Sequence, residues 1–141
     1  METGEVRKRL LHTMERARRA AAERRVRVDE ASREYEIFLE RIAVPLFHQV
    51  AGALRAEGYV FNVFTPGGSL RLMSERASQD YVELTLDTTG PEPQVIGHSS
   101  RSRGRRVLES ERPLGDGPIR ELTDEHVLQF VLKEIEPFVE R

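Results

Sequence analysis

Apolar residues recur in steps of four and three along the first third of the chain. Leu10, Met14, Ala17, Ala21, Val28, Ala31, Tyr35, Phe38 and Ile42 form the series, and Arg24 interrupts it once. This spacing predicts one long helix over about residues 5–42, with a narrow seam of the kind that wraps around a second helix. The stretch is rich in Ala, Arg and Glu, all good helix formers, and has no Pro or Gly between Glu5 and Val44. At about 1.5 Å per residue such a helix spans on the order of 60 Å. A body built from the remaining 100 or so residues has a radius of gyration of only about 13 Å. The helix is therefore expected to project from its own domain as a coiled coil. The nine seam positions are expected to form the interface of a homo-oligomer, most simply a dimer.

Pro45 interrupts the pattern, because it lacks an amide hydrogen and its ring crowds the preceding turn. Two outcomes are open there: a kink, or a break with Pro45 at the first position of a new helix. Leu46, Phe47, Val50, Ala51 and Leu54 then make a broader apolar stripe, suited to packing on a sheet. Gly58 is placed to close that helix.

Beyond it the period shortens to two. Tyr59–Thr65 is aromatic and β-branched, and Pro66-Gly67-Gly68 reads as a turn. Ser69–Ser74 sets Leu70 and Leu72 on one face. Tyr81–Asp87 alternates more cleanly, with Val82, Leu84 and Leu86 inward. Residues 94–100 and 105–111 read as two weaker strands around Arg101-Ser102-Arg103-Gly104. Short connections between sequential strands imply antiparallel pairing, so a meander of about four strands is expected. After a connector punctuated by Gly and Pro, Thr123 is a good N-cap for a last helix. Val127, Leu128, Val131, Leu132 and Ile135 are expected to form its apolar face, with Pro137 disturbing its final turn.

The predicted fold class is thus α+β: a long N-terminal coiled-coil helix, a small antiparallel sheet and a C-terminal helix packed on it. Residues 1–44 make the projecting helix and residues 45–141 the α+β domain. A sheet with one polar face needs one covering layer, which the segment after Pro45 and the last helix supply.

Charge changes this picture in one respect. Net charge is −2 over 141 residues, but residues 1–27 hold nine Arg and Lys against four Glu, giving +5. Residues 109–141 hold four Arg and Lys against nine Asp and Glu, giving −5. Two such ends attract each other or a second copy, and a basic helix can also draw phosphate or anionic lipid. The absence of cysteine excludes disulfides, thiolate metal sites and cysteine nucleophiles. No apolar run approaches the roughly 20 residues needed to span a bilayer. The first residues lack the layout of a secretory signal. A cytoplasmic protein without a membrane partner is expected.

The one local cluster with binding chemistry is the arginine-rich hairpin, where Arg101, Arg103, Arg105 and Arg106 are interleaved with Ser102 and Gly104. Planar guanidinium forks suit phosphate, so these four residues are the candidate polyanion-binding set. A hairpin that merely protects a strand edge with charge looks the same in sequence. No aromatic side chains flank the run, which disfavours stacking on single-stranded nucleic acid. His12, His48, His98 and His126 are scattered without metal-ligand spacing. The Gly67-Gly68 turn precedes a strand and has no Lys, unlike a phosphate loop. No catalytic residue, metal or cofactor is assigned. The expected function is a homo-oligomeric interaction or scaffold module whose α+β domain binds another macromolecule, such as a protein partner. A nucleic-acid-associated protein, using the arginine-rich hairpin and the basic helix, is the second reading. An enzyme with a non-local site is the third, since sites assembled from distant residues leave no local motif.

Overall fold

A computed structural model describes residues 1–140. One helix runs without a break from Thr3 to Ala56. It comprises α1 (Thr3–Phe38), a π-helical turn over Leu39–Ala43, and α2 (Val44–Ala56). Of the two outcomes open at Pro45, the break does not form. The wider turn before it, in which the Val44 N–H donates to the Leu39 carbonyl, takes up the proline without ending the helix. Gly58, at φ 92°, then stops it. Tyr59 N–H reaches back to the Leu54 carbonyl and Gly58 N–H to that of Arg55, the paired bonds of a glycine-closed helix end.

Five strands follow: β1 (Phe61–Phe64), β2 (Leu70–Ser74), β3 (Tyr81–Asp87), β4 (Gln94–Arg103) and β5 (Arg106–Pro113). They form one antiparallel sheet in sequence order. The register sets Leu72 opposite Val82, Val82 opposite Ser99 and Leu84 opposite Gly97. Phe61, Leu70, Leu72, Val82, Leu84 and Val95 therefore share one face, and all are buried. The segment 94–100 is no weak strand: β4 is the longest in the sheet, and Arg101 and Arg103 lie inside it. Its second half is polar, yet pairing with β5 carries it to the turn.

The covering layer is α2 and α3 (Asp124–Val139), joined by the last turns of α1. Thr123 caps α3, accepting from the His126 backbone N–H, while the His126 ring accepts from the Thr123 N–H. The buried stripe of α3 is Val127, Phe130, Val131, Ile135 and Phe138. Leu128 and Leu132 were expected in it; Leu128 is only half-buried and Leu132 is 56% exposed. The helix is rotated toward its phenylalanines because Gly97 leaves room for the Phe130 ring, where any Cβ would collide with it. Glu134 fixes the same rotation, accepting from Ser99 Oγ at 2.9 Å and lying 3.4 Å from Arg112. Pro137 lies within α3, which continues to Val139.

Candidate interaction surfaces

The seam of the long helix divides in two. Ala31, Tyr35 and Phe38 are buried in the chain's own core, and Val28 and Ile42 are half-buried at its margin. These three core residues face the sheet domain and are closed to a second helix. Tyr35 is fixed there by its hydroxyl, which donates to the Gly68 carbonyl at 2.9 Å and approaches that of Leu84 at 3.4 Å. Burial, and then the charge of Glu83, push its pKa up to about 12.

From Arg27 toward the N-terminus the helix has no cover. Leu10 is 57% exposed and Met14 38%, Ala17 is exposed and Ala21 half-exposed. Val6, Leu11 and Val26 are exposed too. Residues 3–27 extend about 37 Å at the helical rise. The apolar stripe on this free segment continues, at the same spacing, the face that becomes core after Val28.

A cleft opens where the helix meets the body. Arg27, Glu30 and Glu34 line it from α1, Glu92 from the β3–β4 loop, and Asp116 and Arg120 from the connector before α3. Arg120 lies 3.8 Å from Glu34. Four carboxylates thus stand against two guanidinium groups.

At the opposite end of the sheet is the arginine hairpin. Gly104, at φ 63°, turns the chain, and Arg103 pairs with Arg106 across it. A glycine with positive φ at the first central position followed by a residue without it is the usual two-residue hairpin. The register sets Arg101, Arg103 and Arg106 on one face, with Arg105 in the turn itself. Arg103, Arg105 and Arg106 are exposed and Arg101 half-buried. Among the described residues none of the four has an ion-pair partner within the chain.

The uncovered face of the sheet carries a ladder that the sequence did not single out. Arg71 Nε donates to Glu83 at 2.6 Å, and its guanidinium stacks 4.0 Å over the Tyr81 ring. Tyr81 meets His98 edge-on at 5.6 Å, and His98 lies 3.5 Å from Glu109. The alternation of strand residues signalled these positions as outward; only the register brings them into line across four strands. They are mutually satisfied, so the ladder reads as a polar outer surface. Asp80, just before β3, accepts from the Ser102 N–H and hydroxyl at 2.7 and 3.0 Å. Among the described residues no group of three His, Asp or Glu converges as a metal site. By length and composition one stretch of the Thr3–Ala56 helix is apolar enough to cross a membrane, more apolar than the sequence reading allowed. Comparison with protein-family models, curated proteins and solved structures gave no match.

Proposed function

We propose that the chain is a homo-oligomeric interaction module, assembled by the free segment of α1 and carrying a small α+β body that engages another macromolecule. One observation carries the reading: a helix segment of about seven turns stands clear of the body with an apolar stripe along it. Isolated helices are marginal in water, and most helical stability comes from packing an apolar face. A second helix laid on Leu10, Met14, Ala17 and Ala21 supplies that packing. Removing residues 1–27 tests the reading. The shortened chain should stay folded and become monomeric at tens of micromolar, whereas the full chain should not; equal masses relative to chain length would reject it.

A second reading is favoured by the four arginines at the hairpin, which lack acidic partners among the described residues and stand at an exposed end of the sheet. They suit a polyanion such as duplex nucleic acid. Binding of that kind weakens linearly on a log–log plot as salt rises, with a slope of about −0.9 per phosphate contacted. No retention of duplex DNA or RNA at about 50 mM salt, where such binding is strong, would remove this reading.

A further inference from the structure

Resting on the reading that the free helix self-associates, we infer that its partner is a second copy of this chain running antiparallel. The two helices are centred on each other between Glu15 and Arg16.

Two observations lead there. The first is the order of residue sizes along the stripe: Leu10 and Met14 are large, and Ala17 and Ala21 are small. Parallel pairing in register stacks large on large and then small on small. The helices would have to converge along the stretch, although packed helices keep an axis separation of roughly 8–10 Å. Antiparallel pairing about Glu15 and Arg16 sets Leu10 against Ala21 and Met14 against Ala17. Every layer then joins one large side chain to one alanine, and the axes stay evenly and closely spaced. Val6, Leu11, Thr13 and Ala20 flank the seam and widen the apolar contact. Arg7 and Arg24 meet at each end of it, where long side chains can turn outward to water. They limit the apolar seam to four layers and penalise registers that would draw them inward.

The second observation is steric. From Ala31 onward the seam side of the helix is filled by the chain's own body. Two parallel copies would set both bodies on the facing sides of the pair at the same end, where they compete for one space. Antiparallel copies put their bodies at opposite ends.

The chain has no cysteine, so a single introduced thiol gives one label per copy. Glu5 lies on the outer side of the helix, and Glu5→Cys leaves the apolar stripe intact. With nitroxide labels there, the antiparallel pair separates the two spins by more than about 30 Å along the axis. A parallel pair keeps them within about 20 Å, the lateral spread of two helices. Mass and spin distance are measured on the same sample. A dimeric mass with a distance above 30 Å is the expected result. A dimeric mass with a distance below 20 Å overturns the antiparallel inference while leaving self-association intact, and a monomeric mass overturns both. The register has its own check. Mild oxidation of Leu10→Cys mixed with Ala21→Cys should give a cross-linked dimer of the two variants, because a disulfide needs Cα atoms within about 7 Å. Leu10→Cys alone should not cross-link. Self-cross-linking of Leu10→Cys at the rate of the mixture would refute the register.

Discussion

Leu84 sits at the centre of the covered sheet face, fully buried, while Leu132 on α3 is 56% exposed. Leu84→Ala should cost on the order of 2–5 kcal/mol, the usual range for a core leucine. Leu132→Ala should stay within about 0.5 kcal/mol, as for surface positions free of special contacts. Urea midpoints of the two variants check the face assignment, and a reversed order would mean α3 is turned the other way. Tyr35 gives a pH signature. Its folded pKa is raised to about 12 from an ordinary value near 10 by burial and then by Glu83. Between those two values the folded chain holds the phenolic proton that the unfolded chain has lost. The tyrosine's contribution is therefore complete below pH 10 and lost as pH rises toward 12. Tyr35→Phe should flatten the fall of the unfolding midpoint across that window; an unchanged slope would show that another group controls it.

Elements differ in how legible they are, and the reasons are physical. In β2 and β3 the leucines and Val82 fall at every second position because one face is core, so Leu70, Leu72, Val82 and Leu84 were readable as inward. In α3 two overlapping stripes compete: Val127, Val131 and Ile135 are common to both, flanked by Leu128 and Leu132 on one side or Phe130 and Phe138 on the other. Hydrophobicity alone does not choose. The choice is made by Gly97, thirty-three residues away, which admits the Phe130 ring. The seam of α1 had the same ambiguity along its length, since periodicity identifies an apolar face but not what covers it. Ala31, Tyr35 and Phe38 meet their own sheet, and Leu10 to Ala21 meet nothing in the chain. The π-helical turn before Pro45 has no sequence period of its own. At the arginine hairpin, position along the chain was legible but extent was not: pairing drew Arg101 and Arg103 into β4. Replacing Arg103 and Arg105 by Ala should flatten the salt dependence of any polyanion binding by up to about two units of log–log slope. Such a change should leave thermal unfolding nearly unmoved, because exposed positions of this kind change stability little. Unaltered slope together with increased aggregation would assign the arginines to protection of the strand edge instead.

At the scale of the whole molecule, the chain joins two regimes of packing along one continuous helix. Its C-terminal half is held by the sheet and α3, and its N-terminal half projects with an apolar stripe and a surplus of positive charge. The division falls near Val28, so truncation at residue 27 should separate assembly from folding. Circular dichroism of the shortened chain should lose helix in proportion to the residues removed while keeping a cooperative transition. A shortened chain that no longer unfolds cooperatively would show the free segment to be part of the fold. The most direct test of the account is the mass of the full chain in solution, measured by multi-angle light scattering at tens of micromolar. One copy weighs 16.2 kDa. A species of about twice that mass, dissociating on dilution, is expected, and a value that stays at 16.2 kDa across the concentration range would rule out self-association.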